Sequence, residues 1–298
     1  MLVLFSGGLD SRLVVKLLQE QGLAIEAIYF SLPFGNGCCN DFNCSFKFTQ
    51  MAGVKLTTVD CTKGKLFEEY LETIKNPRYG YGVAINPCID CKIFIFKKAK
   101  EYADKNDIRI IATGEVLGER PMSQTKHALE LIDKKIGFEL LRPLSARLLT
   151  ETQAEKEGLV DRSRFLAING RGRKIQFSLA KKFNIKFPSP AGGCLLCEKE
   201  YKAKLKDIFE NQSSFTPEEI DLLKNFRHFR NPNSIGKIIL GRNEKENILL
   251  EQLNKKLKYS MIIPEEIPGP TAIYEKSEDK TLANQIVSAY SLNDLSER

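Results

Sequence analysis

Histidine is scarce in this sequence: only two of the 298 residues, His127 and His228, are histidines. Since imidazole is a common metal ligand and a usual general base near neutral pH, a histidine-rich metal site or a histidine-based relay has little support. The sequence has no apolar run of about 18 residues, enough to cross a bilayer as a helix. Its start also lacks the basic, apolar and small-residue layout of a signal peptide. These absences predict a soluble cytoplasmic protein without a membrane partner.

Apolar residues and cysteine are plentiful. With 42% hydrophobic residues, a chain of this length buries a substantial core, and we expect about two domains with a connecting segment. Eight cysteines would suggest disulfides in a small secreted protein. In a long chain without an export signal, clustered cysteines more often bind metal or carry out redox chemistry.

The excess of positive charge is concentrated between Arg142 and Lys186. This segment holds eleven Lys and Arg against four Asp and Glu, a local charge of +7 that equals the net charge of the chain. Such a zone suits a polyanionic partner such as RNA, because Lys and Arg neutralise phosphates. A solvated basic face explains the charge alone equally well.

Strand-like and helix-like segments alternate along the first half of the chain. This alternation predicts an α/β domain over 1–145, with a parallel sheet and helices on both faces. A helical basic segment over 146–200 is expected to complete the active site, and a small α+β domain to occupy 201–298. The helix-start signal Thr216-Pro217-Glu218-Glu219 lies in this last domain. The predicted strands are Leu2–Phe5, Ile25–Leu32, Lys55–Val59, Ile108–Ala112, Phe138–Leu141 and Lys237–Leu240.

The glycine turn at residues 6–11, SGGLDS, lies between the first predicted strand and helix. Free N–H groups at such a helix start point at an anion, and glycine lets the backbone approach it. The lysine of a Walker loop and the third glycine of a dinucleotide fingerprint are both missing. SGGLDS resembles the PP-loop of ATP pyrophosphatases, which implies an adenine nucleotide alpha hydrolase-like fold. By that resemblance, the pyrophosphate of ATP is held by Ser6, Gly7, Gly8 and Ser11. Asp10 has no positive partner within the turn, so it is a candidate ligand of the Mg²⁺ that accompanies ATP, with helix capping as the alternative.

Two later segments indicate which kind of PP-loop enzyme the sequence resembles. Residues 112–124, ATGEVLGERPMSQ, and Arg142-Pro143-Leu144 resemble the TGExxGxxxSQ and RPL segments of 4-thiouridine synthetases. This resemblance implies that Gly114 and Glu115 approach the nucleotide and that Ser123 and Gln124 lie near the adenylated uridine. In a parallel sheet such loops meet at the carboxyl edge, where ligands bind. An ordinary glycine-rich loop is the alternative.

The resemblance covers about residues 1–200. Because Met1 directly precedes the first strand, we expect no N-terminal RNA-binding domain, and we likewise expect no rhodanese-like domain after the catalytic part. The sulfur then has to come from free sulfide or from a cysteine desulfurase.

Two CxxC pairs, Cys88/Cys91 and Cys194/Cys197, are about a hundred residues apart. Four thiolates suit a structural zinc site, three suit a 4Fe-4S cluster with one free iron, and a persulfide relay could use Cys88 and Cys194. The cluster alternative resembles the cluster-dependent tRNA thiolases, which implies Cys88, Cys91 and Cys194 as ligands and leaves Cys197 spare. Among the other cysteines, 38, 39 and 44 form a second group, either reactive or inert, and Cys61 is expected to be buried.

Three cations, Arg171, Arg173 and Lys174, occupy a glycine-rich turn before a predicted helix, where they can hold RNA phosphates. Residues 226–230 (FRHFR) and 237–247 resemble the RNA-binding module of NFACT proteins. The RNA contacts implied by that resemblance are Arg227, His228, Arg230, Arg242 and Asn243.

Together these features predict an ATP-dependent tRNA sulfurtransferase that adenylates a uridine carbonyl and replaces its oxygen by sulfur, most consistent with 4-thiouridine. The residues expected to carry the chemistry are Asp10, Cys88, Cys91 and Cys194. One alternative is a PP-loop ligase that forms an amide or nitrile on a small molecule and has a structural zinc site. Another is an RNA-binding protein that senses nucleotide without chemistry.

Overall fold

The computed structural model describes residues 1–35, 42–187, 193–212, 214–264 and 268–296. The chain forms two compact units, Met1–Cys197 and Glu198–Arg298. The basic segment from residue 146 lies within the first unit, and its separate role in the active site stays a prediction. Over the described ranges, no helix is both long and apolar enough to cross a membrane.

The first unit is built on a parallel sheet with the strand order β3-β2-β1-β4. Its central strand β1 is fully buried, as a strand covered on both faces should be. The strands are β1 (Leu2–Leu4), β2 (Glu26–Ser31), β3 (Lys55–Asp60) and β4 (Ile111–Thr113).

The strand that we predicted over Phe138–Leu141 is wrong: only a single bridge forms, between Leu141 and Ala112. The chain turns away after Leu141, because the carbonyl oxygens of Pro143 and Leu144 accept hydrogen bonds from Leu166 and Ile168 instead. Similarly, β4 begins later than expected, since the N–H of Ile108 donates to the carbonyl oxygen of Ala103 and closes the preceding helix.

Helices cover both faces of this sheet, which confirms the predicted α/β class. Alternate residues of a strand point to opposite faces, so Val3 packs in one core cluster and Leu2 in another. The first cluster includes α1 and α7, and the second includes α4 and α5. The helices are α1 (Leu9–Gln19), α2 (Phe42–Met51), α3 (Gly64–Lys75), α4 (Cys88–Lys105), α5 (Lys126–Ile136), α6 (Gln153–Lys156) and α7 (Lys174–Lys182).

The second unit is the predicted small α+β fold, with an antiparallel sheet in the order β5-β6-β8-β7. The predicted start of α9 is confirmed, since Thr216 and Glu219 form a reciprocal capping box. The strands are β5 (Arg227–Arg230), β6 (Lys237–Leu240), β7 (Ser260–Ile262) and β8 (Ala272–Tyr274). The helices are α8 (Lys199–Asn211), α9 (Pro217–Asn225), α10 (Glu244–Leu257) and α11 (Lys280–Ser296).

Candidate nucleotide pocket and cysteine cluster

The SGGLDS turn connects β1 to α1. Gly7 has a φ of 76°, a left-handed conformation that favours glycine. The hydroxyl of Ser11 donates to the carbonyl oxygen of Gly8 at 2.9 Å, which closes the turn. Gly8 is the N-cap of α1 and supplies no side-chain cap, so the first N–H groups of the helix are available to an anion.

Beneath this turn lies Arg12, which we did not single out from the sequence. Its side chain is 3% exposed, and it donates from Nε to the carbonyl oxygen of Gly7 at 2.7 Å. It also reaches the carbonyl oxygen of Lys186 at 2.8 Å and the sulfur of Cys44 at 3.1 Å. Arg12 therefore ties the turn to α2 and to the segment after α7. Cys38 and Cys39, which we grouped with Cys44, lie outside the described residues.

A pocket of about 340 Å³ opens beside the turn. Gly7 and Ser123 are not among its lining residues: Gly7 shapes the turn, and the buried Ser123 accepts a hydrogen bond from Lys92 through its carbonyl oxygen. The pocket also has charged lining residues that we did not predict, Lys92, Glu119 and Arg120. The predicted site residues that line the pocket are Ser6, Gly8, Asp10, Ser11, Gly114, Glu115, Gln124 and Arg173.

Gly114 packs directly against the start of α1. A Cβ atom at this position would lie 2.8 Å from the backbone nitrogen of Ser11 and 2.9 Å from the carbonyl carbon of Asp10. Both distances are well inside van der Waals contact, and backbone atoms cannot rotate away. Glycine is therefore required here by packing, whatever it contributes to binding.

Glu115 is the centre of a buried ion network. Its Oε2 accepts from Nε of Arg142 at 2.9 Å, and its Oε1 pairs with Lys92. Although burial opposes its charge, Lys92 and Arg142 hold the pKa of Glu115 below its usual value. Arg142 also binds both oxygens of Asp133 at 2.7 Å. Glu115 thus orients Lys92 within the pocket, and the arginine of the RPL segment holds Glu115 in place.

A second ionic group comprises Asp10, Glu119 and Arg173. Arg173 pairs with Glu119 and lies 3.7 Å from Oδ2 of Asp10. Burial first, and then the charge of Glu119, raise the pKa of Asp10 to about 6. Arg173 therefore faces this pocket, whereas its neighbours Arg171 and Lys174 are exposed.

The two CxxC pairs lie together, although they are far apart in sequence. The N–H of Leu195 donates to Phe34 at 3.0 Å, and the N–H of Ile85 donates to Leu196 at 3.2 Å. These bonds bring residues 194–197 beside the start of α4, which carries Cys88 and Cys91.

Cys197, which we left without a role, contacts Cys88. This contact, followed by burial, raises the pKa of Cys88. The hydroxyl of Tyr70 lies 3.3 Å from the sulfur of Cys91, and burial raises the pKa of Cys91 to about 12. Burial, with Cys91 and Cys194 close by, also raises the pKa of Tyr70.

The donor set of this cysteine group is soft, and soft sulfur ligands suit zinc and iron–sulfur centres. A coordinated thiol is deprotonated, which reverses the preference that burial creates for the neutral form. The side chains are not arranged as a formed zinc or iron–sulfur site. Within the described ranges, no three Cys, His, Asp or Glu side chains are placed to hold a metal ion together. Cys61 is fully buried, as expected.

In the second unit, the predicted RNA contacts have partners within the protein. Arg227 lies over the ring of Tyr290, at 4.6 Å from its centroid. His228 contacts the carbonyl oxygen of Leu222 at 3.0 Å. These two positions therefore support the packing of the unit, and their contact with RNA stays a prediction.

The remaining three predicted contacts are held by acidic or backbone groups. Arg230 binds both oxygens of Asp207, at 2.6 and 2.8 Å. Arg242 pairs with Glu246, and Asn243 caps α10 by accepting from the N–H of Glu246 at 3.0 Å. Arg242 and Asn243 are exposed, with the Arg242 side chain about half accessible, whereas Arg230 is half-buried.

Two segments of this chain match known families. Residues 1–148 match the family described as thiamine biosynthesis protein (ThiI). Residues 227–297 match the family described as NFACT protein RNA binding domain, which confirms the resemblance seen in the sequence.

Several named proteins are similar to this chain. A probable tRNA sulfurtransferase of Brevibacillus brevis is 30% identical, over 55% of this chain and 37% of that protein. A probable tRNA sulfurtransferase of Halothermothrix orenii is 28% identical, over 50% and 36%. The chain thus spans little more than a third of the length of these relatives. This chain is also similar to a solved structure, that of the U34-tRNA thiolase NcsA of Methanococcus maripaludis with its 4Fe-4S cluster. The sequence identity is 18% and the TM-score is 0.39, and the match covers 74% of this chain and 69% of that one.

Proposed function

We propose that this protein is a cytoplasmic, ATP-dependent tRNA sulfurtransferase that adenylates a uridine carbonyl oxygen, at C4, and replaces it by sulfur. The observation that carries the proposal lies in the first turn of α4. Cys88 and Cys91 occupy this turn, and Lys92, the next residue, lines the nucleotide pocket. A sulfur site and a nucleotide site therefore share one turn of helix. The names of the relatives from Brevibacillus brevis and Halothermothrix orenii support the same activity.

In the adenylation step, the turn at residues 6–11 holds the pyrophosphate of ATP through N–H groups and the hydroxyls of Ser6 and Ser11. The uridine oxygen attacks the α-phosphorus, and the bond to the β-phosphate breaks to release pyrophosphate. Lys92 and Arg120 offset the negative charge that develops on the phosphates. A sulfur nucleophile then attacks the ring carbon, and AMP leaves with the former carbonyl oxygen.

Cys88, Cys91 and Cys194 are the proposed ligands of a 4Fe-4S cluster, which when bound presents sulfur at an iron without a protein ligand. Cys197 contacts Cys88 and is therefore a competing fourth donor, as a zinc site would require. The sulfur itself would come from free sulfide or a cysteine desulfurase.

The tRNA is proposed to contact both units. Ser123 and Gln124 would lie near the target uridine, and the exposed Arg171 and Lys174 would bind backbone phosphates. The NFACT-like unit would hold another part of the tRNA.

The test has two parts. Nucleosides of tRNA from a deletion strain should lack 4-thiouridine, and the wild-type gene should restore it while a Cys88→Ala variant should not. A deletion strain that retains all its thiouridines would contradict the proposed function.

The metal is measured separately, on protein purified without oxygen. We expect about four iron atoms with acid-labile sulfide per chain, lost in Cys88→Ala and kept in the control Cys61→Ala. One zinc and no iron would overturn the cluster and favour the small-molecule ligase or a persulfide route.

A further inference from the structure

The solvent-facing side of α7 combines an aromatic ring with cations. Side chains three or four residues apart are neighbours on a helix, so Lys174, Phe177 and Lys181 form one strip. All three are exposed, and 44% of the Phe177 side chain is accessible. The buried side of the helix carries Gln176 and Ala180 instead. Packing of the core therefore does not account for a phenylalanine in the middle of the exposed strip.

The ring of Phe177 is held in place from one side. It stacks on Phe187, with the ring centroids 5.8 Å apart and the ring planes 16° from parallel. Phe187 packs in turn against the core cluster that contains Ala180 and Ile185. Because the ring is already supported, a second flat group that stacks on its accessible part costs little conformational freedom. This arrangement suits a planar ligand.

The segment around this ring attracts anions. Residues 165–187 contain six Lys and Arg and no Asp or Glu. By contrast, the exposed Lys65 of α3 has an acidic partner on its own helix, Glu69. A surface with a supported aromatic ring and only positive charges is complementary to a ligand that has both flat groups and phosphates. A nucleic acid strand with unpaired bases has both.

We propose that the exposed strip of α7 is a stacking platform for an unpaired base of the tRNA, with Phe177 under the base and Lys174 and Lys181 on neighbouring phosphates. The helix begins beside the candidate nucleotide pocket, because its N-cap residue, Arg173, lines that pocket. An unpaired strand that follows α7 therefore leads to the pocket in which the target uridine would react. Stacking on an aromatic side chain tolerates any base, since every base has a flat face.

This inference rests on the proposed function for the identity of the RNA, but not on sulfur transfer. From the sequence we assigned Arg171, Arg173 and Lys174 to RNA and gave Phe177 no role. The structure places the ring of Phe177 between Lys174 and Lys181, so this surface contacts bases as well as phosphates. The tRNA segment bound here must therefore be unpaired, because paired bases are stacked inside a helix.

The test measures binding of the full chain to two fluorescently labelled strands of equal length, oligouridine and an abasic ribose-phosphate chain. Phe177→Leu keeps an apolar side chain but removes the flat ring. It should weaken oligouridine binding about tenfold, as expected for the loss of one base stack, and leave binding of the abasic chain unchanged. Phe177→Tyr keeps the ring and should bind both strands as the wild type does. Lys181→Gln should weaken binding of both strands, because a phosphate contact is lost.

The matched control is Ile175→Ala on the same helix. Ile175 is 51% exposed, but residues two apart do not face each other on a helix, so Ile175 lies off the strip that contains Phe177. This variant should bind oligouridine as the wild type does. An equal loss in Ile175→Ala and Phe177→Leu would overturn the proposal, because an apolar contact with a protein or with a second copy of this chain does not require a flat ring.

Three other results would overturn it as well, once circular dichroism has confirmed the fold of each variant. They are a wild type that does not bind oligouridine, unchanged oligouridine binding in Phe177→Leu, and an equal loss of both strands in Phe177→Leu. The assay contains neither ATP nor a sulfur donor. A failure of thiolation would therefore contradict the proposed function and leave the expected binding pattern intact.

Discussion

Gly114 allows the TGE segment to pack directly against the backbone of the SGGLDS turn. Its α-carbon faces the backbone of Asp10 and Ser11 so closely that a methyl group has no space. We expect Gly114→Ala to push the start of α1 out of place, to weaken ATP binding by about tenfold or more, and to destabilise the protein by about 1–3 kcal/mol.

The matched control for this substitution is Gly172→Ala, because a Cβ atom there meets nothing within 4 Å. ATP titration and urea unfolding of both variants check the prediction. Equal ATP affinity in the two variants would show that the contact does not position the turn.

At the scale of elements, His228 joins β5 to the end of α9. The neutral ring donates from Nε2 to the carbonyl oxygen of Leu222, and burial lowers the pKa of His228 to about 3. The unfolded chain takes up a proton near pH 6.5, whereas the folded chain does not until the pH approaches 3. The free energy of unfolding therefore falls as the pH drops below 6.5, because the unfolded state binds more protons.

Between pH 7.5 and 5 this histidine should cost the folded state about 2 kcal/mol. Urea unfolding followed by circular dichroism should show this loss in the wild type and a smaller loss in His228→Gln. His127→Gln is the control, since His127 is exposed. Equal acid sensitivity in all three proteins would show that His228 is not the titrating group.

At the scale of the whole molecule, the positive charge of the basic segment is divided between buried ion pairs and exposed side chains. The basic segment 142–186 lies in the first unit, but some of its cations are committed to the interior. Arg142 holds Glu115 and Asp133, and Arg173 holds the pocket carboxylates. Arg171 and Lys174 are exposed and remain available to an RNA backbone.

This division predicts how salt affects tRNA binding. Each phosphate contact releases counterions, so removal of Arg171 and Lys174 together should weaken binding and reduce the slope of log affinity against log salt by about 1.5. Filter binding between 50 and 200 mM salt, about the range in which such losses are large, measures the slope for Arg171→Gln/Lys174→Gln. The control Lys65→Gln/Lys97→Gln removes two exposed lysines of α3 and α4. An equal loss of slope in both would show that the basic turn is not a specific contact.

Local features followed from the sequence alone. The SGGLDS turn, the strand-helix alternation and the capping box at Thr216 each depend on residues within about one turn of each other, so their chemistry is visible in the sequence. Gly114 and Glu115 were expected near the nucleotide from the resemblance to 4-thiouridine synthetases, and both line the pocket beside the turn, at the carboxyl edge of the parallel sheet where loops meet.

Only the tertiary structure decided which charged and sulfur-bearing groups meet. Lys92 was not predicted as a site residue and Arg173 was predicted to bind RNA, yet both line the candidate nucleotide pocket. Likewise, Cys197 lies against Cys88 because residues 194–197 dock beside α4, across about a hundred residues of sequence. Local periodicity determines what an element is and which face it buries, but it does not encode which distant loop packs against its end. Burial and charge pairing in the folded chain determine which loops pack together. Glu115 is an example, because the buried carboxylate stays ionised only beside Arg142 and Lys92.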